Sequence, residues 1–137
     1  MPSFNIFDIA GSAMSAQTVR LNTTASNLAN ADSVSTRFED AYKARHPVFK
    51  TVQAGLGANA PGQQVQVAGI TQSTAEAQAR YEPGNPLANA DGYVYSSNVN
   101  TVEEMVDMIS ASRSYQNNVE VMNTSKDLML ATLKLGQ

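Results

Sequence analysis

Acidic side chains and a single histidine are the residues of this chain whose types could support catalysis. Glu103, Glu104 and Asp107 lie close together, but acids near the start of a helix are usually explained by their interaction with the helix dipole. His46 precedes Pro47 in a stretch, "KARHPVF", that we interpret as a loop, and nothing marks a nucleophile elbow. We therefore expect no enzymatic activity.

One segment imitates part of a calcium loop. In "ANADGYV", Gly92 takes the place of the invariant glycine of an EF-hand, and Asn89 and Asp91 take the places of ligands. Leu87 and Asn98, however, fall where the first and last carboxylate ligands belong, so we interpret the segment as a turn. The chain has no cysteine, which excludes disulfides and zinc–thiolate sites. We expect no metal, cofactor or small-molecule substrate.

The composition also narrows the class of partner. A net charge of −3 argues against nucleic acid, which attracts basic surfaces. No stretch approaches the ~20 apolar residues of a membrane-spanning helix, so we expect no membrane insertion. The N-terminal "MPSFNIFDIAGSAM" has no basic region, and Asp8 interrupts its apolar stretch. We therefore expect no cleaved signal peptide.

The spacing of apolar residues predicts a first helix from roughly Asn5 to Asn30. Steps of three and four residues produce one apolar stripe along this helix. The stripe contains Phe7, Ala10, Met14, Leu21 and Leu28, with Gln17 and Thr24 as polar members, and Ile6, Ile9, Ala13 and Ala16 widen the apolar face.

A second helix is predicted from Asn100 to about Leu135, with Asn100 or Thr101 at its start. Its stripe keeps the same spacing for four heptads. The members of this stripe are Met105, Met108, Ser112, Tyr115, Val119, Met122, Lys126, Met129 and Leu133. At ~1.5 Å per residue, the helix is about 50 Å long.

The segment between the helices is richer in turn and strand signals. Residues 54–62 have the composition of a flexible loop, and Val65–Ile70 and Tyr93–Tyr95 read as strands. Pro83-Gly84 and Asp91-Gly92 are turn signals. We predict a mainly α fold whose N- and C-terminal helices pair as an antiparallel, coiled-coil-like unit, with a small β-rich insert between them. The predicted boundaries are 1–34 for the N-terminal helix and the asparagine-rich segment, 35–99 for the insert and 100–137 for the C-terminal helix.

Pairing of the two helices leaves apolar residues uncovered. Ile6 and Ile9 lie beside the first stripe, and Val102, Val106 and Ile109 lie beside the second. Apolar faces that remain after pairing predict helices from other subunits. Five methionines in the two helices suit such surfaces, because their side chains adapt to non-identical neighbours.

Both ends of the chain resemble one known family. "NIFDIAGSAMSAQTVRLNTTASNLANADS" is similar to the N-terminal segment of flagellar axial proteins, the rod, hook and hook-associated subunits. "DGYVYSSNVNTVEEMVDMISASRSYQNNVEVMNTSKDLMLATLKLGQ" is similar to their C-terminal helix. The matching positions are Leu21, Asn27, Leu28, Ala29, Asn30, Val99, Asn100, Glu103, Glu104, Met105, Ile109, Arg113, Tyr115, Asn118 and Leu133. Within the family, the sequence most resembles the proteins of the proximal rod.

The resemblance implies a structural subunit of the bacterial flagellar basal body. Such a subunit would leave the cell through the flagellar type III export apparatus and assemble helically in the periplasmic rod, with itself and other rod subunits, to transmit torque. In the family the asparagine-rich segment closes the first helix and packs between subunits. A different flagellar axial subunit and a soluble coiled-coil adaptor remain as alternatives.

The expected assembly contacts combine the helix stripes with the positions matched by the resemblance. They are Ile6, Ile9, Met14, Leu21, Asn27, Leu28, Asn30, Met105, Ile109, Arg113, Tyr115, Asn118, Val119, Met122, Met129 and Leu133.

Overall fold

Two long helices form the ends of the protein. The computed structural model describes residues 2–53 and 62–135, with helix α1 at Pro2–Ala29 and helix α2 at Thr101–Leu135. Both predicted helices are confirmed. Asn100 closes the start of α2, because its side-chain oxygen accepts hydrogen bonds from the backbone N–H groups of Val102 at 3.1 Å and Glu103 at 3.4 Å. This is the usual role of asparagine at a helix N-cap.

In the described part of the segment between the helices, five strands form two small antiparallel sheets. The strands are β1 (Val34–Ser35), β2 (Arg45–Gln53), β3 (Gln63–Gln72), β4 (Gln78–Tyr81) and β5 (Tyr93–Ser96), and a short 3-10 turn covers Phe38–Asp40. One sheet has the order β1-β5-β4, and the other is the β2–β3 hairpin. The predicted strands at Val65–Ile70 and Tyr93–Tyr95 are confirmed within β3 and β5.

The hairpin corrects our interpretation of His46. This residue lies in strand β2, paired with Thr71 of β3, and not in a loop. The turn chemistry around Pro47 suggested a loop, but proline is tolerated at a strand whose outer edge needs no donor. Strands β1 and β4 were also missed, because they are short and lack apolar alternation. The predicted flexible loop at 54–62 lies outside the described residues except for Gly62.

Gly92 confirms the turn predicted at Asp91-Gly92. Its φ of +83° is in the left-handed region, where glycine is favoured over residues that carry a Cβ. The backbone N–H of Gly92 donates to the carbonyl of Asn89 at 2.9 Å. A Cβ on Gly92 would also lie 2.8 Å from the ring of Tyr81, so both the backbone and the local space require glycine.

The contacts between α1 and α2 occur in opposite order along the two helices. Near the end of α1, Asn27 hydrogen-bonds Glu104 in the first turns of α2. Arg20, two turns earlier in α1, pairs with Asp107. Ile6, near the start of α1, lines one cavity with Met129 near the end of α2. The two helices therefore run in opposite directions.

The interior of the protein is made of small side chains. In the part of the chain that the structure describes, the buried apolar residues are Ala10, Ala16, Ala41, Ala44, Ala77, Val94 and Ala111. Val94 is thus the only buried aliphatic side chain larger than alanine within those residues. Such an interior buries little apolar area per residue, so polar contacts must contribute much of the specificity of this fold.

The face that α2 presents to α1 differs from the predicted stripe. Met105 is 56% exposed, whereas Glu104 is 3% exposed and Ala111 is fully buried. Met108, Met122 and Met129 are half-buried, as the stripe predicted, but Val119 and Leu133 are exposed. The apolar pattern failed at the start of α2 because the buried position there holds a carboxylate, a residue type that a hydrophobic pattern assigns to solvent.

Candidate assembly interface and the polar junction beside it

The side chain of Asn27 is the centre of a buried hydrogen-bond network. Asn27 is fully buried. Its amide nitrogen donates to the backbone carbonyl of Arg45 and to the carboxylate of Glu104, both at 2.8 Å. Its amide oxygen accepts from the backbone N–H of Arg45 at 2.9 Å and from the hydroxyl of Tyr42 at 3.1 Å. All the hydrogen-bonding capacity of the amide is used.

Asn98 makes a similar set of hydrogen bonds to the backbone of the same stretch, residues 42–45. Its side-chain oxygen accepts from the backbone N–H of Ala44, and its amide nitrogen donates to the carbonyl of Ala75, both at 2.7 Å. Its own backbone N–H donates to the carbonyl of Tyr42 at 3.4 Å. Two asparagines therefore hydrogen-bond four backbone groups of residues 42–45 at the root of the hairpin. We call Asn27, Tyr42, Arg45, Asn98 and Glu104 the polar junction.

Glu104 connects the polar junction to α2. One of its carboxylate oxygens accepts from Asn27, while the other is buried and has no hydrogen-bond partner. A buried carboxylate is costly unless it is well partnered. Its position in the first turns of α2, near the positive end of the helix dipole, is favourable for a negative charge. Glu104 was predicted only as a helix-start acid, and its contact with α1 was not foreseen.

A second polar contact links the helices beside the polar junction. The guanidinium of Arg20 lies 2.6 Å from the carboxylate of Asp107, and both side chains are about one-third exposed. Asp107, like Glu104, was expected to serve only the helix dipole. Partly exposed ion pairs contribute little stability, so this contact fixes geometry more than it holds the helices together.

Asn30 follows the last residue of α1 and ends this helix, as the resemblance of the asparagine-rich segment implied. Its side-chain nitrogen donates to the carbonyl of Ser26 at 2.8 Å, and its own carbonyl accepts from the hydroxyl of Ser33 at 2.7 Å. These bonds satisfy backbone groups that a helix end leaves free. No described residue other than glycine has a positive φ, so α1 ends without an asparagine in the left-handed conformation among these residues.

Most of the large apolar residues of α2 face solvent. In the first turns, Val102, Met105, Val106 and Ile109 are all more than half exposed. In the second half, the exposed apolar side chains are Val119, Val121, Leu128, Leu130, Leu133 and Leu135. An apolar surface of this extent on one helix is typical of an interaction site.

The structure separates the expected assembly contacts into three groups by their exposure. Asn27 is buried within its own chain, so its amide is not available to a neighbouring subunit. The half-buried residues are Ile9, Met14, Leu21, Leu28, Asn30, Asn118, Met122 and Met129, and the exposed residues are Ile6, Met105, Ile109, Arg113, Tyr115, Val119 and Leu133. Tyr42, Asn98 and Glu104 were not among the expected contacts, since buried polar networks leave no periodic signal in a sequence.

Within 2–53 and 62–135, no helix is both long enough and apolar enough to cross a membrane. The same residues contain no group of three or more histidine, cysteine or acidic side chains arranged to hold a metal ion.

Comparison with known proteins assigns both ends of the chain to one family. A family model described as "Flagella basal body rod protein" matches residues 7–35. A second, described as "Flagellar basal body rod FlgEFG protein C-terminal", matches residues 90–135. The matched regions include α1 from residue 7 to its asparagine-rich end and the whole of α2, the two elements that the polar junction connects.

Relatives of the same length extend the match to the complete chain. The flagellar basal-body rod protein FlgC of Escherichia coli is 57% identical over 137 residues, which is 100% of both chains. The chain belongs to the flagellar basal-body rod protein family. FlgC proteins of Salmonella typhimurium and of one Buchnera aphidicola strain are 56% and 35% identical, again over the full length of both chains. The relationship confirms the resemblance seen at the ends of the sequence and identifies a structural rod subunit of the flagellar basal body.

Proposed function

We propose that this subunit builds the proximal part of the rod by packing its exposed helix faces against neighbouring subunits in a helical array. The full-length similarity to FlgC supports the place in the rod. The observation that carries the packing mechanism is the exposure of large apolar residues along α2, of which Ile109 is 53% and Leu128 is 64% exposed. In this proposal, helices of neighbouring subunits pack against the faces that α1 and α2 leave uncovered, and so complete the coiled-coil-like packing of these two helices.

The apolar residues in the second half of α2 lie on two sides of the helix. Val121, Leu128 and Leu135 are seven residues apart and therefore share one side. Leu130 and Leu133 lie on a different side, roughly a third or more of a turn away at 100° per residue. A helix with two apolar sides, of which α1 covers neither, supports contacts with more than one neighbour. Contacts between different surfaces of identical subunits build helical assemblies when they do not close.

The polar junction supports the proposal by fixing the start of α2. Asn27 and Arg20 contact Glu104 and Asp107 through polar atoms, so the direction in which α2 leaves the insert is defined within one subunit. The apolar residues of α2 are then presented in a defined orientation. A rod that transmits torque requires such defined geometry between successive subunits.

We further propose that the chain reaches the periplasm through the flagellar type III export apparatus. The absence of cysteine from the sequence supports passage of an unfolded chain into an oxidising compartment, because no incorrect disulfide can form. The small-residue interior also supports it, since little apolar burial opposes unfolding before export.

Substitutions on the exposed and half-buried helix faces test the assembly mechanism. We expect Ile109→Asp to abolish incorporation into the rod, because it places a charge in an apolar contact between subunits. We expect the same result for Leu28→Asp. Each variant replaces the native protein in a motile strain, and mass spectrometry of purified hook–basal bodies measures its abundance alongside swimming motility.

Ser110→Asp is the matched control, because Ser110 is exposed and adjacent to Ile109 but is not apolar. We expect this variant to assemble. Normal motility and normal incorporation of both Ile109→Asp and Leu28→Asp would refute the packing mechanism. Detection of the native chain only in the soluble cytoplasm would refute the rod assignment and favour an adaptor.

A further inference from the structure

We infer that the polar junction makes the root of the hairpin and the first turns of α2 a single folding unit, so that the two segments open and close together. This inference concerns the isolated chain and does not depend on assembly into the rod. It rests on the hydrogen-bond partners of residues 42–45 and on the distribution of burial along the two helices.

Side chains hydrogen-bond three backbone groups of residues 42–45. The N–H of Ala44 donates to the side chain of Asn98, and both the N–H and the carbonyl of Arg45 bond the side chain of Asn27. The carbonyl of Ala44 instead accepts from the backbone N–H of Ser73 at 2.7 Å. Buried backbone groups without partners are strongly unfavourable, so the three groups are satisfied only when both asparagines are held in place.

Asn27 is held in turn by α2. The neighbouring buried positions on α1 are occupied by Thr23 and Thr24, so the buried side chains next to Asn27 on this helix are polar ones. The contact that completes the amide of Asn27 comes from Glu104, 77 residues further along the chain. Without the first turns of α2, the amide loses a charged partner and the cover that keeps it from water.

The three-stranded sheet also depends on residues from late in the chain, because strand β1 pairs with strand β5. Val34 pairs with Ser96 and Ser35 with Tyr95, and the N–H of Ser97 donates to the carbonyl of Ser33. Loop closure over some 60 residues costs entropy that local contacts must offset. Because the interior is mainly alanine, the early part of the chain lacks the apolar burial that would hold it folded before these late partners arrive.

Native-state hydrogen exchange of the full-length chain tests this coupling. Amide exchange is followed by mass spectrometry in increasing, sub-denaturing concentrations of denaturant. If the two segments are one unit, residues 42–45 and the first turns of α2 open with the same free energy and the same dependence on denaturant. Different opening free energies in the native chain, or no protection of residues 42–45, would overturn the inference.

Two substitutions sharpen the test. Glu104→Ala removes the partner of Asn27, and we expect exchange of residues 42–45 and of the first turns of α2 to rise together by about tenfold or more. Glu104→Gln keeps an acceptor for Asn27, so both segments should stay within a few-fold of the native rate. The outcome against coupling is a Glu104→Ala variant whose faster exchange is confined to α2.

Glu103→Ala is the matched control on the same helix. Glu103 is adjacent to Glu104 but exposed, and the substitution also removes an acid from the first turn of α2. If Glu103→Ala increased exchange at residues 42–45 as much as Glu104→Ala does, the cause would be general weakening of the helix start, and the specific connection through Asn27 would be refuted.

Discussion

Replacement of Asn27 by alanine is the most informative single perturbation of this protein. The substitution removes four hydrogen bonds, those of Asn27 to the N–H and carbonyl of Arg45, the hydroxyl of Tyr42 and a carboxylate oxygen of Glu104, although the Tyr42 hydroxyl keeps the hydroxyl of Ser26 at 3.3 Å. At about 1 kcal/mol for each hydrogen bond, the gross loss is about 4 kcal/mol. Water entering the vacated space recovers part of this, so we expect the free energy of unfolding to fall by about 3 kcal/mol.

That loss is a large fraction of the roughly 5–15 kcal/mol by which a domain is stable. For a chain of this length it corresponds to a fall in Tm of about 10 °C. The assay is thermal unfolding of the purified chain followed by far-UV circular dichroism. Asn27→Asp is expected to be at least as damaging, because it removes both donors and places a second carboxylate beside Glu104, which is buried.

Asn30→Ala is the matched control, since it removes an amide one turn away whose side chain makes one hydrogen bond to the backbone of α1. We expect a loss of about 1 kcal/mol or less from this substitution. If Asn27→Ala and Asn30→Ala lowered the Tm equally, the central role given to Asn27 would be incorrect, and the stability of the junction would have to come from packing alone.

Two smaller effects follow from local geometry. Gly92→Ala should lower the free energy of unfolding by about 1–3 kcal/mol, because of the positive φ and the close ring of Tyr81. Gly84→Ala, with open space around its Cβ position, should change the free energy of unfolding little. Chemical denaturation of both variants measures the difference, and equal losses would contradict the prediction. Asp107→Asn should lower the free energy of unfolding by about 0.5 kcal/mol at low salt, because the ion pair of Asp107 with Arg20 is partly exposed. This loss should disappear at high salt, where ion pairs are screened. A loss that persists at high salt would show that the contact is more than an ion pair.

The two helices could be predicted from the sequence, because they depend on repeated local signals. Spacing of three and four residues located α1 and α2, and Asn100 marked the start of α2 through its capping chemistry. The turn at Gly92 was predicted for the same reason, since turns depend on a few adjacent residues. The similarity of both ends to one family indicated the rod.

The polar junction could not be predicted in this way. It joins residues from α1, the root of β2, the end of β5 and α2, which are far apart in sequence and carry no shared period. A hydrophobic pattern assigns Glu104 to solvent, and this placed the buried face of α2 about one residue away from its position in the structure. Strand β2 was missed because Pro47 and His46 are poor strand signals, although the long pairing with β3 overrides them.

The alanine interior also bears on how far a subunit depends on its neighbours for stability. A subunit with large apolar residues inside has a stable form of its own to which it can return after a wrong contact. Here large apolar side chains of α2 lie outside, with Leu135 at 88% exposure, so in the proposed packing the balance between folded and unfolded chain shifts with the supply of neighbours. A subunit in the wrong place would then forfeit the burial that retains a correctly placed one, and its stability would depend on its surroundings as much as on its own sequence.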